Sequence, residues 1–469
     1  MIPQGIAHDL PDLGDSASSE LSPLAEQRLG AQIMRDIRWK DAAYLRDPEV
    51  EDYLNWLGDR LVAAGPGAGL PFQFFGVNDP TLNAFAMPGG NIGVLTGLIL
   101  AAQSESELAG VLGHEVSHVT QRHIARMLGK QSQTGMLMLA SLLVAVLAAK
   151  SSAQVSQAAI SAGMAAGMST QLSYSRDFEN EADRLGVQNL AAAGFDVRGM
   201  VGFFERLQKN ARLYENNAPA YMRTHPLTSD RITEMENRVA QMPYRQVPDS
   251  LDFQLVRAKL KVGRQPSREV IAEFEAAARG SSPSVAAQYG LVRAYLQTRR
   301  LADADREMVE LRKRHALSAM IDGLEGDLRI AHGDPAGAAR LFREARARFP
   351  QSHRLMYGEI EALIDSGKAA DALTAVKAEL QTTAGDATLW EFRARAEAAL
   401  GKRLGQHRAL GEVYAIQGNY AASAEQFALA QTAGDGDFFE QSAVDSRLRE
   451  VRALLAEQMR EMRESRGQR

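Results

Sequence analysis

The chain has 469 residues, 45% of them hydrophobic, which is long enough for two substantial domains that each bury a core. A net charge of −5 provides no global basic field, so nucleic acid is not expected as a partner. The absence of cysteine excludes disulfides and thiolate metal ligands and leaves the redox compartment open.

Met1-Ile2-Pro3-Gln4 lacks the basic start and apolar core of a signal peptide. Ser22-Pro23 predicts a helix through Leu24, Leu29 and Ile33, and Asp47-Pro48 a second through Val50, Leu54, Leu57 and Leu61, each with proline at its first position. Residues 71–77 read as a strand, and 85–95 as strand, turn and strand with the bend at Pro88-Gly89-Gly90. A small sheet therefore precedes the next helix. If one edge of it lines a cleft, a substrate can add to it as a further strand through its backbone; a purely structural hairpin is the plainer alternative.

Ser104 and Glu107 make a capping-box start, and Leu108, Val111, Leu112, Val119, Ile124 and Leu128 continue an apolar stripe that no Gly-Pro punctuation interrupts before Gly129. One helix is expected over that span. It carries His114-Glu115-Val116-Ser117-His118, an H-E-x-x-H pattern whose histidines, four apart, share a face. That is the geometry of a hydrolytic zinc site, which takes three protein ligands and keeps a further position open. Val119 to His123 do not continue as a metzincin would, and His123 has no spacing argument in its favour.

The apolar run 135–149 is shorter than the roughly 20 residues that cross a bilayer. It is read as a buried core helix, as a segment lying on a membrane surface or docking a partner, or, least in keeping with its length, as a span. The small residues of 163–168 suggest a mobile or close-packed connection. Arg176 then opens another helix leading to Leu185, Val187 and Leu190. On it Glu179 and Asp183 share a face, so one carboxylate can bind metal while the other orients a ligand histidine, and Glu181 points elsewhere.

From 243–248 onward the pattern is purely helical. Gly333, Gly367 and Gly401 recur every 34 residues, the tetratricopeptide period. Gly326, Ala338, Phe342, Ala345 and Pro350 fit one full repeat, and Ala304 and Ala372 extend the Ala338 position in both directions. The register breaks before Gly418, where Gly411, Phe427 and Ala430 define a fresh repeat. The expected domains are 1–247, holding the metal motifs and the sheet, and 248–469, an irregular superhelix whose concave face binds a partner.

Taken together, these residues resemble a family. H-E-x-x-H followed by the Glu179 and Asp183 pair, the strand-and-turn element Asn83 to Ile92, and the Thr224-His225-Pro226-Leu227-Thr228 block with Arg231 are similar to gluzincin-type peptidases related to the CAAX-prenyl protease and the membrane heat-shock protease. Asp9 to Gly14 and the helical second half look like one branch, the periplasmic β-barrel assembly-enhancing proteases. The resemblance implies a mainly α (α+β) protein: a gluzincin-like zinc metallopeptidase domain with a small β-sheet, then an all-α tetratricopeptide-repeat superhelix. It also implies a periplasmic location, so a leader of roughly 15–30 residues is expected ahead of the exported form.

His114, His118 and Glu179 are expected to hold one Zn²⁺, with Glu115 as general base and Asp183 orienting a ligand histidine. Through the resemblance, Arg231 is expected to stabilise an oxyanion. His225 is placed near the site, either as a fourth metal ligand that keeps the enzyme latent or as a hydrogen-bond partner of the tetrahedral intermediate. Asn83, Phe85, Gly89, Gly90 and Asn91 are expected to form the strand that binds substrate. The implied function is a zinc endopeptidase with chaperone-like activity that promotes assembly of outer-membrane β-barrel proteins or degrades misassembled ones. Its partners would be those unfolded proteins, the outer-membrane assembly machinery reached through the repeats, and a peripheral membrane contact. The alternative is a repeat-domain adaptor whose protease site stays latent.

Overall fold

The structure, a computed structural model, describes residues 21–65, 67, 69–128, 175–212, 220–280, 284–314 and 317–467. The blocks read at 9–14, 135–149 and 163–168 lie outside the described residues. The chain is mainly helical and divides into two compact units, Met1–Phe253 and Gln254–Arg469. The division falls later than the 247/248 boundary expected from composition, for a local reason. Ser250 donates to Glu105 Oε1 at 2.6 Å, and Phe253, fully buried, packs its ring 6.4 Å from that of Tyr53.

In the first unit, α1 (Pro23–Lys40) and α2 (Pro48–Ala63) start where their caps dictate. Ser22 Oγ accepts from Ala25 N, and Asp47 Oδ1 from Glu49 N and Val50 N, satisfying amides that the first helical turn leaves free. Strands β1 (Gln73–Val77), β2 (Ala84–Met87) and β3 (Asn91–Leu95) form one sheet in the order β1-β3-β2. β3 lies in the middle, parallel to β1 with Phe74 opposite Ile92, and antiparallel to β2 with Phe85 opposite Gly93. Leu54, Leu57, Phe74, Ile92, Val94, Leu108, Leu112 and Val116 are fully buried and fill the core.

This topology corrects part of the expected substrate strand. Asn91 lies on the central strand, whose backbone is paired on both sides, and its side chain donates to Pro88 O at 2.9 Å. Gly89 and Gly90 have φ of 76° and 81° in the turn between β2 and β3. A Cβ on Gly90 would meet Pro71 O at 2.0 Å, and one on Gly89 would meet the backbone of Gln27 in α1 at 3.3 Å. These three residues seat the turn and offer no free edge.

After α3 (Thr96–Ala101), α4 (Glu105–Thr120) begins as its cap predicts. Ser104 Oγ accepts from Glu107 N, and Glu107 Oε2 reaches back to Gln103 N at 2.6 Å. The helix does not run on to Leu128 as expected. It stops at Gln121, Arg122 takes a left-handed φ of 51°, and α5 (His123–Leu128) starts in a new direction. Arg122 is held there by Leu21 O, which its guanidinium reaches at 2.8 Å. The unit is completed by α6 (Arg176–Ala192), α7 (Arg198–Arg212), α8 (Ala220–Thr224) and α9 (Ser229–Ala240).

In the second unit Gly333, Gly367 and Gly401 follow helices Ala319–Ala331, His353–Asp365 and Ala387–Ala399, with φ of 79°, 77° and 72°. They are the left-handed residues that end a helix and turn the chain back, for which glycine carries no Cβ penalty. One period before Gly333, Arg299 fills the same role at φ 59°, so the repeat extends further back than glycine spacing reveals. Ala304, Ala338, Ala372 and Phe342 are fully buried, with the Phe342 ring against Gly326 and Gly358.

Candidate metal centre

Three segments of the first unit converge on one point. α4 contributes His114, Glu115 and His118, α6 contributes Glu179 and Asp183, and the residue after α8 contributes His225. α4 and α6 approach closely because Gly186 has no side chain: a Cβ there would lie 3.1 Å from His114 N and 3.2 Å from its Cα. His114, His118, Glu179 and His225 are all buried, and one donor atom from each lies within 4.8 Å of the others.

Their spacing fits a tetrahedral ion. Four donors held about 2.0–2.1 Å from zinc stand about 3.3–3.4 Å apart. His114 Nε2 lies 3.0 Å from His118 Nε2, 3.4 Å from His225 Nδ1 and 3.6 Å from Glu179 Oε2. His118 Nε2 is 3.6 Å and His225 Nδ1 3.0 Å from Glu179 Oε1. Charge points the same way. Burial opposes protonation of His114, yet Asp183 and Glu179 pull its pKa up to about 9. Burial also opposes ionisation of Glu179, but His225 and His114 hold it well below the ordinary carboxylate range. The pocket favours positive charge among its nitrogens, which a divalent cation supplies. His118 is driven well below the usual histidine range by burial and by His114, so it presents the neutral ring that a metal requires.

Glu115 stands beside this cluster. Its Oε2 accepts from Ala86 N at 3.0 Å, and its Oε1 is 3.5 Å from His225 Nε2. Burial raises its pKa, which suits a group that takes and returns a proton. Ala86 lies on β2, the sheet edge beside α4, and alternation along an antiparallel strand turns the backbone groups of Ala84 and Ala86 outward, the Ala86 N–H being the one that Glu115 takes. Asn83 O instead accepts from Leu95 N, and Phe85 faces Gly93 of β3, so the outward register is offset from the Asn83 and Phe85 positions expected. α8 is tied to the same edge: Tyr221 N donates to Leu82 O, His225 N to Tyr221 O, and the Tyr221 ring stacks on His225 at 4.5 Å.

Behind the donors, Asp183 Oδ1 lies 3.0 Å from His114 Nδ1. Arg231 departs from its expected role. Its Nε and Nη2 donate to Asp183 at 2.7 and 2.8 Å, and its Nη1 donates to Pro226 O and pairs with Glu179 Oε2, both at 2.7 Å. At 4% exposed, the guanidinium is committed to clamping two carboxylates and to closing the His225 loop, with nothing directed at an oxyanion. Sequence reasoning also missed His123, which is fully buried with Nδ1 2.8 Å from His118 Nδ1 and Nε2 3.1 Å from Glu181 Oε2. Glu181, read as pointing elsewhere, also pairs with Arg126 at 3.3 Å. No periodicity rule finds this contact, because it depends on the break after Gln121.

Residues 48–239 match the model of peptidase family M48, and 329–396 match a tetratricopeptide-repeat model. The chain is 31% identical over 454 residues to the beta-barrel assembly-enhancing protease of Escherichia coli K12, covering 96% of this chain and 92% of that one. With the protein of the same name from Yersinia pestis it shares 28% identity, over 95% of this chain and 92% of that one. Over 223 residues it is 30% identical to the mitochondrial metalloendopeptidase OMA1 of Arabidopsis thaliana, covering 47% of this chain and 43% of that one. Two histidines and a glutamate on crossing helices, a buried glutamate beside them and a following array of repeats thus accord with these likenesses: the chain belongs to the M48 metallopeptidases, in the branch of the beta-barrel assembly-enhancing proteases.

Proposed function

We propose that this protein is a zinc-dependent periplasmic endopeptidase that acts in the assembly of outer-membrane β-barrel proteins, cleaving misassembled chains and supporting productive ones. The convergence of His114, His118, Glu179 and His225 beside Glu115 carries the reading. His114, His118 and Glu179 hold the ion, and His225 is the fourth donor of a latent state. Zinc, when bound, polarises the scissile carbonyl and makes water acidic enough to ionise near neutrality. Glu115 takes the proton of the attacking water and returns it to the leaving nitrogen. Asp183 fixes His114 from behind, and Arg231 holds Asp183 and Glu179 in place.

Substrate binds as an added strand along β2, pairing with the outward backbone groups of Ala84 and the Ala86 carbonyl, which is a sequence-tolerant mode suited to unfolded clients. His225 blocks that approach until the loop after α8 moves. The repeat unit docks the assembly machinery. A chaperone-like adaptor role is the second reading, favoured by the burial of His225 against the donor cluster. Zinc analysis combined with casein cleavage before and after chelation tests the first: chelation is expected to abolish cleavage and zinc to restore it. Assembly support that survives Glu115→Gln would favour the adaptor.

A further inference from the structure

The metal ligands are supported unequally. His114 has a carboxylate directly behind it, with Asp183 Oδ1 3.0 Å from Nδ1. His118 has a histidine there instead, and that histidine leads to a carboxylate: His118 Nδ1 to His123 Nδ1 is 2.8 Å, and His123 Nε2 to Glu181 Oε2 is 3.1 Å. We infer that His123 is a positioning residue for His118, passing the support of Glu181 to that metal ligand.

Hydrogen placement follows from chemistry. A ring that offers Nε2 to an ion is neutral and carries its hydrogen on Nδ1. His118 Nδ1–H therefore donates to His123 Nδ1, which must be bare, and His123 carries its own hydrogen on Nε2, where Glu181 Oε2 accepts it. Every step in this chain is fixed by the one before it. The reverse order would put a hydrogen on the atom of His118 that faces the ion.

The local backbone serves the same contact. On an unbroken helix, His123 would point about 140° around the axis from His118. The left-handed residue Arg122 ends α4 and turns the ring of His123 back onto His118. That ring is then clamped from the side, stacked on Phe178 with centroids 4.3 Å apart and planes 10° apart, while the Arg126 guanidinium lies 4.5 Å from the other ring's centroid and pairs with Glu181. A left-handed backbone is disfavoured for a non-glycine residue, and the contact that Arg122 allows bears on a ligand.

This inference rests on the proposed zinc reading, and its test separates the two. Zinc affinity is measured on the full chain by competition with a chromophoric chelator, alongside the visible spectrum of the cobalt-substituted protein and the unfolding temperature after chelation. His123→Phe keeps a flat ring against Phe178 but removes the acceptor, and is expected to weaken zinc binding about 10–100-fold and to alter the cobalt spectrum. His123→Asn places an acceptor near the former Nδ1 and is expected to recover most of the affinity. Glu181→Ala, at a half-buried position that leaves the core intact, is expected to weaken binding by a smaller factor. Unfolding temperatures of the metal-free variants should match wild type. Wild-type affinity in both His123→Phe and Glu181→Ala would overturn the inference while leaving the zinc site standing, as would an equal loss in His123→Asn and His123→Phe. A wild-type chain that binds no zinc would overturn both.

Discussion

At the residue scale, the proposed latency rests on the position of His225. Its Nδ1 stands 3.4 Å from His114 Nε2 and 3.0 Å from Glu179 Oε1, where a fourth donor belongs, and Tyr221 stacks behind it. His225→Ala is expected to raise casein cleavage and self-cleavage with zinc retained. Lower turnover at unchanged zinc content would instead assign His225 to the tetrahedral intermediate, with a loss of about a hundredfold. Arg231 makes a second case. Because it clamps Asp183 and Glu179 in a buried setting, Arg231→Leu leaves two carboxylates without their partner and should cost about 3–5 kcal/mol of stability. Denaturant unfolding of the metal-free protein measures this, and a change confined to turnover would return Arg231 to an oxyanion role.

At the scale of elements, the site depends on where helices stop and how closely they cross. Starts were legible because they are local: Ser22, Asp47 and Ser104 each cap the helix expected of them. The stop after Gln121 was not legible, since Arg122 is neither glycine nor proline and its φ of 51° is held by Leu21 O, a partner distant in sequence. The apolar stripe continued through Ile124, which is buried by α5 rather than by α4. The crossing of α4 and α6 was hidden for the same reason, because Gly186 reads as an ordinary helical glycine until His114 is seen beside it. Gly186→Ala would push a methyl group to 3.1 Å from backbone nitrogen. It is expected to cost about 1–3 kcal/mol and to weaken zinc binding by moving Glu179 outward. Urea unfolding and chelator competition would both read the change; unaltered values in each would mean that the helices separate without cost.

At the scale of the molecule, the two halves were legible for different reasons. The second declares itself by period, because Gly333, Gly367 and Gly401 each end a helix with positive φ and so must recur wherever the turn recurs. The first declares itself by spacing of metal-binding side chains, while its sheet order, with β3 between β1 and β2, follows from pairings that no single segment specifies. The division at 253 bears on any dissection. A cut before Leu251 would keep Ser250 as the last residue but would strip Phe253, a buried residue of the first unit. A chain ending at Val262, the end of helix Leu251–Val262, is expected to fold, hold zinc and cleave casein while failing to co-purify with the outer-membrane assembly machinery. Co-purification at full-length levels would move the docking surface into the first unit.

The proposed chemistry requires one carboxylate to hold the ion and another to move the proton. Glu179 lies within the donor cluster, and Glu115 beside it against Ala86 N. Zinc content of purified Glu179→Gln and Glu115→Gln, measured together by mass spectrometry and set against casein cleavage, separates these roles. Glu115→Gln is expected to retain zinc at the wild-type level with no cleavage, and Glu179→Gln to lose both. Zinc retained in Glu179→Gln and lost in Glu115→Gln would reverse the two roles and refute the proposed site.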